Sequence, residues 1–303
     1  MYIDAHAHAV QEGWVAEPWW QGVARVAAEV LPGVPAEVVR STIVPALFDP
    51  DGSGQLGAME AAGVDVAVMF PYDWSRGDQV GPAEVEWQDQ NEWYRQFASA
   101  HPDQIRWGFG ADPRHEGALE AFERAVREQG AICLKLHPAA GFALNDPIVY
   151  PFLETARDLG VPVVFHVGPN VAPHYSKWSD PLLLDQVAAD FPDVKINAAH
   201  VGNAAWREVL SVASVKPNVH GDLSGWQTRF ARNPDRFYAD VREVVEVLGA
   251  HRVMWGTDPP YYRPLVSDDD YLKAFTAAPD GTFAGEDVEW ITGKTAREFY
   301  ALG

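Results

Sequence analysis

Eight short β-like runs recur along the chain, and most are followed by a stretch of helical spacing. The runs are Tyr2 to His8, Val64 to Phe70, Ile105 to Phe109, Ala131 to His137, Val161 to Val167, Val194 to His200, Asn218 to Leu223 and Arg252 to Thr257. Between them the apolar period changes. Leu119, Phe122 and Val126 repeat at i, i+3 and i+7, and Phe237, Val241, Val244, Val245 and Leu248 form a second stripe of that kind. Gly63, Gly130 and Gly160 each close a helical stretch just before a strand, where a left-handed residue ends a helix. Eight such units in 303 residues suit an α/β fold of the closed (β/α)8 TIM barrel type. An open doubly wound sheet usually has about five to seven strands and a phosphate-binding glycine turn after the first. No G-x-G-x-x-G directly follows the first run, and no G-x-x-x-x-G-K-[ST] occurs here.

Two stretches exceed ordinary βα loop length. Val10 to Gly54 holds Trp14, Trp19 and Trp20 with Pro18, Pro32, Pro35, Pro45 and Pro50, and Pro259 to Glu286 follows the last strand. Long structured loops on the C-terminal rim of a barrel build its pocket. Both are therefore expected to be lid elements within a single domain spanning 1–303, with 10–54 as the principal insertion. No internal repeat or low-complexity tract is visible.

The chemistry concentrates in histidines. Six of ten fall in or at the ends of expected strands: His6, His8, His137, His166, His200 and His220. His101, His115, His174 and His251 lie in connections and read as surface residues. Strand side chains alternate faces, so His6 and His8 point the same way and can grip one ion together. His166 and His200 end apolar runs, and Asp258 follows Met254-Trp255-Gly256-Thr257. In a barrel these strand ends form one rim, so His6, His8, His166, His200 and Asp258 are expected to converge as a metal site.

Lys135 and His137 share one face of the fourth run and can also point inward. Lys135 is compatible with a carbamylated bridge between two metals, a cation for a substrate carboxylate, or a lysine satisfied by an acid. Asp222 suits either an acceptor that orients a histidine or a structural hydrogen bond. The tryptophans of the insertion, Trp14 first, either wall a substrate pocket or pack their own loop. Cys133, the only cysteine, has no evident base beside it, and no G-x-S-x-G elbow appears, which disfavours nucleophilic catalysis.

Charge limits the partners. With 23 Lys+Arg against 43 Asp+Glu the formal charge is -20, which repels nucleic acid and anionic membrane surfaces but leaves small-molecule substrates open. No run of 18 apolar residues and no signal-peptide pattern is present, and a lone cysteine fits a reducing compartment, so a cytoplasmic location is expected. A homo-oligomer is compatible with all of this.

The ordered series Ile3-Asp4-Ala5-His6-Ala7-His8, Leu134-Lys135-Leu136-His137-Pro138, Val164-Phe165-His166-Val167-Gly168, Ala199-His200-Val201-Gly202, Asp222-Leu223-Ser224-Gly225 and Trp255-Gly256-Thr257-Asp258-Pro259-Pro260 resembles the amidohydrolase superfamily. Within it, the likeness is to the group that includes aminocarboxymuconate semialdehyde decarboxylase. The resemblance implies a distorted barrel with one divalent metal, usually zinc and in some members manganese. It implies His6, His8 and His166 as ligands, Asp258 as ligand and acid/base, and His200 as a residue acting on substrate. Lys135, His137 and Trp14 are the expected substrate contacts. Hydrolysis of an amide, lactone or ester by metal-activated water is the leading expectation, and non-oxidative decarboxylation of an aromatic or enoic acid needs the same residues. A metal-stabilised barrel that only binds is the non-catalytic alternative.

Overall fold

The computed structural model describes residues 1–31, 33–74, 76 and 79–303, so Pro32 lies outside the described residues. Its strands are β1 (Ile3–Ala7), β2 (Val66–Met69), β3 (Ile105–Trp107), β4 (Phe109–Gly110), β5 (Leu134–Leu136), β6 (Val163–His166), β7 (Ile196–Ala199), β8 (Val219–Asp222) and β9 (Val253–Met254). Neighbours pair in parallel and in chain order, as β1-β2-β3 and as β4 through β9. These segments fill the eight expected positions, because the third strand is interrupted at Gly108. The Gly108 N–H donates to Met69 O at 2.9 Å, and the Phe109 N–H turns to Cys133 O at 2.9 Å. A Cβ on Gly108 would sit 2.3 Å from Cys133 Sγ, so only glycine lets the backbone pass this close.

The barrel closes between its first and last strands. Ala5 N–H donates to Trp255 O at 3.1 Å and Asp258 N–H to His6 O at 2.9 Å. Asp4 clamps the same seam, accepting the Thr257 N–H at 3.0 Å and the Thr257 hydroxyl at 2.5 Å. These bonds set His6 beside Asp258 although the two are far apart in sequence.

Helices follow the strands, among them Ala118–Gln129, Tyr150–Leu159, Trp206–Ala213 and Pro234–Leu248. Phe122, Phe237, Val241, Val244 and Leu248, read above as stripes, are buried against the sheet. Gly63, Gly130 and Gly160 end their helices at φ of 69°, 80° and 69°. On β2, Ala67 and Met69 join the large helix-facing core, and Val66 and Val68 join a smaller cluster with Cys133, Val164 and Met254, the alternation of a strand buried on both faces. The insertion after β1 folds as helix Glu17–Val30 and short turns at Ala36–Val38, Val39–Ile43 and Pro45–Leu47. No helix among the described residues is long and apolar enough to cross a membrane.

His220 packs its ring 4.9 Å from Phe299, away from the other strand histidines, and burial pushes its pKa from 6.5 down to about 4. Between those values the unfolded chain binds a proton that the native state refuses, so stability is present at neutral pH and lost as pH falls through the window. At about 1.4 kcal/mol per unit the loss approaches roughly 3 kcal/mol near pH 4. In denaturant titrations at pH 7 and 4.5, His220→Leu is expected to lose about 2 kcal/mol less than the parent chain. An identical loss in both would show that His220 titrates normally.

Candidate functional site

Each of the two histidines at the end of β1 has one ring nitrogen committed. His6 Nδ1–H donates to Asp222 Oδ2 at 2.9 Å, and His8 Nδ1–H donates to Phe70 O at 2.7 Å. Their Nε2 atoms are therefore both bare, and they face each other at 3.0 Å. Asp258 Oδ1 stands 3.4 Å from His8 Nε2 and 3.9 Å from His6 Nε2. Two opposed lone pairs and a carboxylate repel one another unless a cation lies near them, and Lys135 Nζ, 3.2 Å from His6 Nε2, reaches only one of the two nitrogens. Two imidazoles and a carboxylate also form the nitrogen and oxygen set that a divalent transition metal takes. The residues present thus fit a metal.

Asp222 is the anchor beneath this group. It accepts from His6, from Asn197 Nδ2 at 2.6 Å, from the His200 N–H at 3.1 Å, and from the Ser224 hydroxyl. Burial alone would raise its pKa, but His6, His200 and Ser224 outweigh that and hold it well below the usual carboxylate range. Of the two roles open to it in the sequence, it orients a histidine.

The Ser224 contact also sets the tautomer of His200. A carboxylate can only accept, so the Ser224 hydroxyl spends its proton on Asp222. It must then accept from His200 Nδ1, 2.8 Å away. His200 consequently presents a bare Nε2, which lies 3.1 Å from His166 Nδ1. Burial pushes the His200 pKa well down, so the neutral ring acts as an acceptor. In that tautomer Nε2 carries no proton to donate to a substrate carbonyl.

His166 does not join the His6, His8 and Asp258 group, whose ligating atoms lie within 4.8 Å of one another. It faces His200 instead, stacked on His137 at 5.6 Å, with its Nε2 buried and unpartnered among the described residues. The spacing of His166 and His200 depends on a tight loop contact. A Cβ on Gly168 would meet Gly202 O at 2.3 Å, so a side chain there would push the two strand ends apart. His200, Val201 and Asn203 hold φ of 61°, 40° and 52°, and Asp258 holds 50°. Such left-handed backbone at residues other than glycine persists only where surrounding contacts enforce it, here including Trp226 Nε1–H to His200 O at 2.7 Å.

Lys135 ends behind this group. Its Nζ is 3.2 Å from His6 Nε2 and 5.3 Å above the Phe70 ring, with the whole side chain buried. Burial lowers its pKa to about 8 against the pull of Asp222 and Asp258. It does not line the cavity, which corrects its expected contact with substrate. One pleat below His137, its amine ends at His6. Burial also keeps His6 neutral, near 4, and raises Asp258 to about 7 against the opposing charge of Lys135.

The group opens into a cavity of about 370 Å³. His8, His137, His166, His200 and Asp258 line its floor, with Tyr72, Trp74 and Tyr261 above them. Tyr72 stacks on His8 at 4.1 Å, and Trp74 packs edge-on to His137 at 5.6 Å. The insertion contributes Trp19 and nine further apolar residues. Trp14 is not among them. It packs against Trp93 and Tyr94 at 5.5 and 5.7 Å, so its ring fills the base of the insertion and does not line this cavity. His174, read as a surface residue, is buried beside Trp74 with its Nδ1–H on Ala139 O at 2.8 Å. Sequence reasoning passed over Tyr72, Trp74 and Tyr261. Their signal was position, just beyond the C-terminal ends of the second and last strands.

A family model described as Amidohydrolase matches residues 3–302. L-fucono-1,5-lactonase of Burkholderia ambifaria is 29% identical over 174 residues, covering 52% of this chain and 56% of the lactonase. The match thus spans about half the length of that curated relative. Among solved structures, an amidohydrolase from Burkholderia multivorans with bound zinc superposes at a TM-score of 0.69, with 17% identity and 100% of both chains covered. A 5-carboxyvanillate decarboxylase from Novosphingobium aromaticivorans, complexed with manganese and 4-hydroxy-3-methoxy-5-nitrobenzoic acid, gives 0.71 at 14% identity over 100% of this chain and 96% of its own. At such identities the two structures establish the shared barrel fold.

Proposed function

The chain belongs to the amidohydrolase family, and from that premise and the site's geometry we propose that it is a metal-dependent hydrolase of an amide, lactone or ester, with zinc as its ion. One observation carries the reading: two unprotonated imidazole nitrogens 3.0 Å apart with a carboxylate beside them, of which His8 and Asp258 line the floor of a substrate-sized cavity. His6, His8 and Asp258 would hold the ion, with His166 a further nitrogen donor on the same floor. When bound, the ion supplies Lewis acidity toward water and toward a carbonyl oxygen.

The chain's own groups supply the rest. Asp258 takes a proton from the attacking water and returns it to the leaving oxygen or nitrogen. A carboxyl pKa of about 7 suits both transfers. His200 accepts at Nε2 from His166 Nδ1, 3.1 Å away, and so holds that ring on the cavity floor. Trp74 Nε1–H, buried without a partner among the described residues, is placed to donate to the substrate carbonyl. His137 completes the polar floor.

Decarboxylation would use the same residues, with the protonated Asp258 as donor to carbon. A panel of lactones, esters, amides and hydroxylated aromatic acids, followed for both acid release and CO2 and paired with elemental analysis, separates the two. Zinc-dependent hydrolysis of at least one panel member is expected. Metal-dependent CO2 release without hydrolysis would replace the proposal.

A further inference from the structure

The cavity wall contributed by the insertion has a marked chemical bias. All ten of its side chains between Trp19 and Leu47 are apolar. On helix Glu17–Val30 they are Trp19, Val23, Val26, Ala27 and Val30, spaced i, i+4, i+7, i+8 and i+11, a single helical stripe. The stripe starts deep, where Trp19 touches Trp74 and Tyr261 at 4.8 and 5.5 Å, and reaches the mouth at Val26, which is 53% exposed. At 1.5 Å per residue it runs for roughly 17 Å from Trp19 to Val30. Ile43 and Leu47 are half-buried and extend the same wall.

The free polar groups of the cavity, Trp74 Nε1 and His166 Nε2 with the Tyr72 and Tyr261 hydroxyls, gather at its floor, and the wall beyond them offers few. Asn170 Nδ2 donates to Gly168 O and Ser179 Oγ, and Thr228 Oγ1 donates to Gly225 O. Arg232 is exposed at the rim. A polyol laid along the stripe, beyond those floor groups, would lose water from several hydroxyls with little to replace it, and each unmatched polar group is costly. An alkyl chain would lose nothing and would bury apolar area along the stripe.

We infer that the substrate is an ester or lactone carrying an alkyl chain, its carbonyl at the histidine floor and its chain along the Glu17–Val30 helix. The inference rests on the proposed hydrolysis for the position of the carbonyl and not for the selectivity of the channel. Hydrolysis adds the oxygen of water to the carbonyl carbon and breaks the acyl C–O bond. The proton passes to the leaving oxygen, and no other reactant is consumed.

The test compares γ-butyrolactone, γ-octalactone and a sugar 1,5-lactone on the zinc-loaded protein. In parallel, octanoate and gluconate are titrated with and without zinc, followed by tryptophan fluorescence. The expected kcat/KM rises about fourfold per methylene, or about 10²-fold from butyrolactone to octalactone, with the sugar lactone below both. Octanoate should bind at least about tenfold more tightly than gluconate. Val23→Asn and Leu47→Asn should each cut the octalactone-to-butyrolactone ratio by about tenfold. Octanoate selectivity without hydrolysis of any lactone would defeat the hydrolase reading and support the apolar channel. Rates independent of chain length, gluconate binding as tightly as octanoate, or an unchanged ratio in both variants would overturn the inference even if hydrolysis is found.

Discussion

Replacing His6 and His8 together by alanine is expected to reduce bound metal from about one ion per chain to background and turnover by more than about 10³-fold. The reason is geometric: these are the two bare nitrogens at 3.0 Å, and without them Asp258 is the one member left of the closest donor group. The double variant carries a folding penalty of its own. Removing His6 takes one hydrogen bond from the buried Asp222 carboxylate, which keeps Asn197, the His200 N–H and Ser224, a change of about 1.5–3 kcal/mol. His8→Ala alone avoids this, since His8 Nδ1 is bonded to a backbone carbonyl, and His6→Asn keeps an amide donor for Asp222. Both single variants are expected to fold, as judged by near-ultraviolet circular dichroism, and to lose metal by elemental analysis. Full metal content and turnover in His8→Ala would place the ion elsewhere.

Much of this site is legible in the sequence, and the reason is the strand period. His6 and His8 are two residues apart on a strand, so their common direction follows from alternation alone. The same rule put Lys135 and His137 inward. Barrel closure did the long-range work: once eight strands are arranged in a ring, residues at their C-terminal ends meet, and His200 and Asp258 arrive beside His6. Those are consequences of backbone geometry, which sequence pattern reports well.

What the pattern did not report is how side chains choose among neighbours after they converge. Asp222 bonds His6, and Ser224 assigns the His200 proton, yet neither choice has a local signature. Lys135 was read as a substrate contact because inward direction says nothing of depth. The tryptophans show the same limit in a loop. Trp14 and Trp19 are five residues apart in a Pro-rich insertion, and only the helix beginning at Glu17 turns Trp19 to the cavity and leaves Trp14 against Trp93. The break at Gly108 was equally silent, since a glycine inside a strand pattern signals close approach without naming the approaching group.

Asp258 is where hydrolysis and decarboxylation part, because they need it in opposite protonation states. As a base toward water it must begin ionised, so kcat/KM for hydrolysis should rise with pH and level off once the carboxyl has titrated. As a donor to carbon it must begin protonated, and the rate should fall across the same limb. Burial puts that carboxyl near 7 in the metal-free protein, with Lys135 opposing the rise, and a bound dication draws it lower, so the limb lies at or below about 7. Asp258→Asn keeps the size and an oxygen for the ion but removes the proton carrier. It is expected to lower kcat by about 10³-fold or more and to erase the limb, while metal content falls far less than in the His6 and His8 variants. A rising limb in the parent that vanishes in Asp258→Asn assigns the base, whereas a limb that survives the substitution belongs to another group.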